Sequence, residues 1–241
     1  MSIIVMVALL AAPVASPQDL KHEMAITNLR KGQDALRQEH WKEAEQFFSA
    51  AIEYDPLLEM AHYGLGQAFM GEKQYDEAVR AYKGCRDTYL KNATATLGDS
   101  VEAERRREDQ IQSLRDYKTA LQTGRTATMN VMTTLNMIDN QIAQLETTRK
   151  RGPNASPSVA PFISMALGSA YFRKGDYTLA EAEWRNALAV DSKIGEVHNN
   201  LAVVCLMNDR VAEAAEHVKL AEKAGVRVNP QLKADIEARK H

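Results

Sequence analysis

Two cysteines in 241 residues cannot build a disulfide framework, which excludes the small crosslinked scaffold that depends on one. Charge of one sign is also lacking. With 30 Lys and Arg against 32 Asp and Glu the formal net charge is −2, leaving no strongly basic face and excluding a nucleic-acid partner. The densest basic run, Arg105-Arg106-Arg107, is surrounded by Glu102, Glu104, Glu108 and Asp109, as on a solvated, salt-bridged helix. The apolar run at residues 3–12 falls short of the roughly 20 residues needed to cross a bilayer. There is no glycine-rich phosphate loop, no Ser-centred nucleophile elbow and no zinc-type His/Glu motif. No constellation of acid, base and nucleophile is visible either, so the sequence points away from an enzyme and implies no cofactor.

What is present is ordinary soluble composition, 45% apolar and 26% charged, enough for one elongated domain or two compact ones. Small residues from Ala12 to Ser16 follow the apolar run, so residues 1–16 read as a secretory signal cleaved near Ala15. No Lys or Arg precedes the run, and Pro13 and Pro17 crowd the cleavage points. A periplasmic or secreted protein is expected, the alternative being anchorage by the uncleaved segment, with any membrane association confined to it.

The organising pattern is Leu167-Gly168-Ser169-Ala170-Tyr171, then Gly175-Asp176-Tyr177, then Ala180 with Trp184 and Ala187. It fits two antiparallel helices, the first packing through Leu167, Gly168 and Tyr171, the second through Ala180, Trp184 and Ala187. On these residues the chain resembles the tetratricopeptide repeat family. The family period of about 34 residues carries Ala180 onto Ala214 and Ala44 onto Ala78, and Leu65-Gly66 with Phe69 and Tyr82 form another copy. In the earliest copy Gly32, Trp41, Ala44, Phe48, Ala51 and Pro56 fit, but Lys31 stands where an apolar residue belongs. Bulky residues at Trp41, Tyr75, Tyr82, Tyr177 and Trp184 are expected to fill the space between helix pairs. Cys205 takes the place of Tyr171 and Phe69, and Cys85 that of Ala187, so both read as packing residues in different repeat pairs.

The register fails between the two blocks. Asp99-Ser100 and Thr133-Thr134 stand where Leu-Gly belongs. Apolar residues at Val131, Leu135, Ile138, Ile142 and Leu145 instead make a coiled-coil seam, and Val101, Ile111, Leu114, Tyr117 and Leu121 a weaker stripe. Gln122-Thr123-Gly124 joins them, which predicts an antiparallel hairpin about 35 Å long projecting from the repeat body. Met129, Met132 and Met137 read as packing.

The expected fold is therefore all-α: an α-solenoid of tetratricopeptide helix pairs interrupted by a long antiparallel coiled-coil hairpin. Its parts are the signal-like residues 1–16, repeats 1 and 2 over 24–88, the hairpin over 89–152, repeats 3 and 4 over 158–224, and a capping helix over 229–241. Asn229-Pro230 is a suitable opening for the cap.

In the family the first helix of each pair lines the concave side of the superhelix, and the resemblance implies that partner-binding residues lie there. In this register they are Leu29, Gln33 and Arg37, then Tyr63, Gln67 and Met70, then Met165, Ser169, Phe172 and Arg173, and finally Asn199, Asn200 and Val203. An apolar, Met-containing set with amides and two arginines suits an amphipathic helix or extended peptide of a protein partner. The alternative is a structural homo-oligomer assembled through the hairpin. Glu213 and His217 are four apart on one helix, but two ligands without a third read as surface polar residues, and no metal site is expected.

Overall fold

The computed structural model describes residues 17–95, 101–123, 129–147 and 158–239. The signal-like segment, the turn at Gly124 and the loop at 148–157 lie outside the described residues, as do the side chains of Met129, Met132 and Met137. Among the described residues the chain is all helix: α1 (Pro17–Arg37), α2 (Trp41–Tyr54), α3 (Glu59–Gly71), α4 (Tyr75–Ala95), α5 (Val101–Thr123), α6 (Met129–Thr147), α7 (Pro161–Lys174), α8 (Tyr177–Val190), α9 (Gly195–Met207), α10 (Val211–Lys223) and α11 (Pro230–Ala238). None of them is long and apolar enough to cross a membrane.

α1 with α2, α3 with α4, α7 with α8 and α9 with α10 form four antiparallel pairs. The same turn closes each pair. Its second-last residue is left-handed: Glu39 at φ 58°, Lys73 at φ 60°, Gly175 at φ 97° and Asp209 at φ 59°. The next residue then donates its N–H back into the first helix, His40 to Ala35 O at 2.9 Å, Gln74 to Phe69 O at 2.8 Å, Asp176 to Tyr171 O at 2.9 Å and Arg210 to Cys205 O at 2.8 Å. This is the six-to-one bond that satisfies the last free carbonyls of a helix.

Small residues fix how closely the helices of a pair approach. A Cβ at Gly168 would lie 2.6 Å from Trp184, one at Gly66 2.5 Å from Tyr82, and one at Gly32 2.8 Å from Phe48. The ring thus lies flat on bare backbone at one fixed offset in three repeats. In the fourth the ring is replaced by Val218, and Ala202 stands in the glycine position, the extra methyl filling what the smaller partner leaves. Ala44, Ala78, Ala180 and Ala214 are wholly buried. Tyr177 differs from expectation. It is 38% exposed, resting on Phe172 with ring centroids 5.3 Å apart, while Trp184 fills the pair.

The pairs stack in chain order through α2 with α3 and α8 with α9, and α4 packs on α7 directly, so four repeats form one continuous row although α5 and α6 intervene in sequence. Arg86 Nη1 on α4 meets Glu183 Oε1 on α8 at 3.0 Å, and Lys174 Nζ meets Asp76 Oδ1 at 3.0 Å, both across this junction. α11 closes the row, opened by the Asn229 side chain, whose Oδ1 accepts from the N–H of Gln231 at 2.9 Å.

α5 and α6 pack on one another, with Arg115 on Glu146 at 2.9 Å and Lys118 on Asp139. They do not project. α5 lies against α1, α3 and α4, and α6 against α7. The cause is the apolar stripe: Ile111, Leu114 and Tyr117 of α5 and Ile138, Ile142 and Leu145 of α6 join the same core as the repeats, which removes more apolar area from water than a free-standing arm would. Ile138, Ile142 and Leu145 of the α6 seam are therefore buried within the chain.

Candidate functional site

The first helices α1, α3, α7 and α9 carry the residues expected to face a partner, and the structure divides them. On α1 and α3, Leu29 is wholly buried, Gln33 is 4% exposed and Tyr63 7%. Tyr63 is the centre of an aromatic cluster drawn from four helices, with ring centroids 5.5 Å from Tyr82, 6.2 Å from Tyr117 and 5.1 Å from Phe162. Tyr117 of α5 also donates its hydroxyl to Gln67 Oε1 at 3.3 Å, and Arg30 on α1 pairs with Asp116 at 3.0 Å. The α1–α3 half of the concave surface is thus covered by the chain's own helix. Arg37 is exposed at the rim beside Asp34, and Met70 is half-buried.

On α7 and α9 the face is more open. Met165, Ser169, Asn199, Asn200 and Val203 are half-buried and Arg173 is exposed. Ser169 turns its hydroxyl inward to donate to Met165 O at 2.9 Å. Phe172 is directed toward its own pair, with centroids 5.7 Å from Trp184 and 5.3 Å from Tyr177.

Sequence reasoning missed the polar group beneath α5. Glu59, at the start of α3, is 3% exposed and accepts from Gln110 Nε2 of α5 at 2.9 Å and, at 3.4 Å, from Gln141 Nε2 of α6. Burial raises its carboxyl to about 7, although the amides oppose the shift. Gln110 Oε1, Gln141 Oε1, Ser113 Oγ and both amide atoms of Gln33 are buried with no hydrogen-bond partner, so the covered half holds polar atoms the cover does not satisfy. A cleft of about 600 Å³ opens beside them, lined by Tyr54, Leu57, Glu59, Arg105 and Asp109 among others.

A family model described as tetratricopeptide repeat matches residues 29–86 and 165–225. Both blocks are tetratricopeptide repeats. The first runs from within α1 to within α4 and the second from within α7 to just past α10, and the stretch holding α5 and α6 lies outside the match. Among solved structures the chain is similar to that described as "Functional Characterization of Pseudomonas Aeruginosa pilF", at 14% identity over 93% of this chain and 90% of that one, TM-score 0.36. It is also similar to "Crystal structure of APC/C hetero-tetramer Cut9-Hcn1", at 19% identity over 91% of this chain, TM-score 0.31, where it spans 43% of the other chain. A third is "TPR2AB-domain:pHSP90-complex of yeast Sti1", at 12% identity over 91% of this chain and 99% of that one, TM-score 0.29. No curated protein matches the chain. Tetratricopeptide repeats mediate protein–protein contact through the surface their stacking creates, and the fold is typically a non-catalytic scaffold.

Proposed function

We propose that this chain is a non-enzymatic scaffold that holds an amphipathic helix of a partner protein on the open α7–α9 half of its concave surface. The observation that carries the reading is the chain's own occupant of the other half. α5 lies along α1 and α3 with Ile111, Leu114 and Tyr117 turned inward and Gln112 and Arg115 outward, so the surface accepts an amphipathic helix by burying one stripe of it. Continuing along the row, Met165, Asn199, Asn200 and Val203 offer the same mixture of adaptable apolar contact and amide hydrogen bonding.

Site-specific photocrosslinking in the native host tests this. A photoreactive side chain placed at Asn200 or Val203 is expected to capture one protein reproducibly, and the same probe on the outer helices, at Asn186 or Lys219, is not. Capture from the outer positions alone, or equal capture from both faces, overturns the assignment of the surface. Export rests on the apolar run at residues 3–12 and is checked separately by fractionating cells that express the full chain.

A further inference from the structure

The last two repeats bring together a group of polar and sulfur-bearing side chains where α9 meets α10. Cys205 and His198 come from α9, Glu213 and His217 from α10. His198 Nε2 lies 3.0 Å from the carbonyl of Ser192. A carbonyl only accepts, so Nε2 carries the proton and Nδ1 of the neutral ring is left with a lone pair. His217 Nδ1 lies 3.0 Å from that atom and must be the donor. The two hydrogen bonds therefore fix the tautomer of His217, and its Nε2 is left bare.

That bare nitrogen faces Glu213 Oε1 at 3.8 Å, one acceptor looking at another. Cys205 Sγ completes the set, and one ligand atom from each of the three residues lies within 4.8 Å of the other two. Ligands held at roughly 2.0–2.3 Å around a tetrahedral ion stand about 3.4–3.6 Å apart, so the nitrogen and oxygen are already near that spacing. The remaining closure falls to Glu213, whose side chain is 37% exposed against 14% for His217 and can turn most easily.

We propose that Cys205, Glu213 and His217 bind one zinc-like divalent cation, with water as the fourth ligand and His198 as the residue that orients His217. One thiolate, one imidazole and one carboxylate make a mixed donor set suited to a borderline ion in tetrahedral geometry, and unsuited to calcium or magnesium, which take oxygen. On binding, the ion exchanges water for the three side chains and the Cys205 thiol releases its proton to solvent. Arg185 reaches Glu213 Oε1 at 2.5 Å and Arg210 reaches Oε2 at 2.9 Å. Each carboxylate oxygen has a second lone pair, so these contacts orient Glu213 without consuming it. Both arginines also pair with Glu181, at 2.7 and 2.5 Å, so the surround of two cations and two anions is balanced before the metal arrives.

The test uses the tag-free full chain, stripped with a chelator and titrated with Co2+. One equivalent is expected to give the intense visible bands of a tetrahedral site and a thiolate charge-transfer band, both abolished by Zn2+. Cys205→Ser removes the charge-transfer band, and His198→Gln weakens binding about 10–100-fold, the usual effect of losing an orienting partner. Glu213→Gln, at a partly exposed position, guards against misfolding: its helical melt stays near the parent's while Co2+ affinity falls. A titration with no tetrahedral bands, or a charge-transfer band that persists in Cys205→Ser, overturns the proposal. So does a Zn2+-induced rise in melting temperature that is equal in the parent and in Cys205→Ser.

Discussion

At the scale of single residues, the four turns give an internal comparison. Gly175 adopts φ 97°, and an added Cβ there would meet nothing, so any cost of Gly175→Ala is conformational rather than steric. It should destabilise the protein by about 1 kcal/mol, the penalty of a side chain in the left-handed region, read as a lower denaturation midpoint. Lys73 holds the equivalent place at φ 60° with a side chain already present. Lys73→Gly should therefore be neutral or stabilising by a few tenths of a kcal/mol, because relief of strain offsets glycine's extra unfolded-state entropy. Gly168 is a different case, since its missing Cβ would collide with Trp184 at 2.6 Å. Gly168→Ala should cost about 1–3 kcal/mol by forcing the pair apart, whereas Ala202→Gly in the fourth repeat should open a small void and cost about 1 kcal/mol. Thermal melts of the two variants compare a clash with a cavity at one structural position.

At the scale of elements, the contact of α3 with α5 and α6 turns on Glu59. Its folded value of about 7 lies above the ordinary 4.5, so the native state holds a proton that the unfolded chain has released. Stability from this group is complete below about 4.5 and is lost as pH rises toward about 7. His22, raised mainly by its hydrogen bond to Asp55, likewise favours the acidic side, whereas His62, lowered by burial, favours the other. Replacing the carboxyl by an amide isolates the first contribution. Glu59→Gln should melt close to the parent at pH 5 and increasingly above it up to pH 7–8, by an amount on the order of 1–3 kcal/mol from a shift of that size. A constant difference across that range would show that Glu59 does not titrate with folding.

The same elements explain what could be read in advance. The solenoid was legible because its rule is local: Gly32 with Phe48, Gly66 with Tyr82 and Gly168 with Trp184 recur at one offset, and Ala44, Ala78, Ala180 and Ala214 recur at the repeat period. The docking of α5 was not. Glu59 meets Gln110 and Gln141 across 51 and 82 residues of chain, and neither glutamine belongs to any periodic pattern. Leu29, Gln33 and Tyr63 lie on first helices, but a sequence pattern says only that a face is buried, not against what. Cys205 likewise reads by its register as a packing residue, and the side chains that surround it become visible only when α9 and α10 are set side by side.

At the scale of the whole molecule, a solenoid is held by contacts between neighbours, so its parts need not share one stability. The row from α1 to α4 and on through α7 to α10 is joined directly by the α4–α7 contact, and nothing in that chain of contacts passes through α5 or α6. The α5–α6 pair adds apolar burial but also leaves Gln110, Gln141 and Ser113 with unsatisfied atoms, each of which subtracts from the gain. It should therefore be the first large unit to open. Leu114 is wholly buried at the centre of α5, and Leu114→Ala should remove about 2–5 kcal/mol from that contact. Native-state hydrogen exchange of this variant should show lost protection across α5 and α6 with protection kept in α7 to α10, while Leu29 and Tyr63 on the first two repeats become accessible. Were protection lost evenly in every helix, α5 would have to be part of one cooperative core with the repeats, and the covered half of the concave surface could not be uncovered without unfolding the protein.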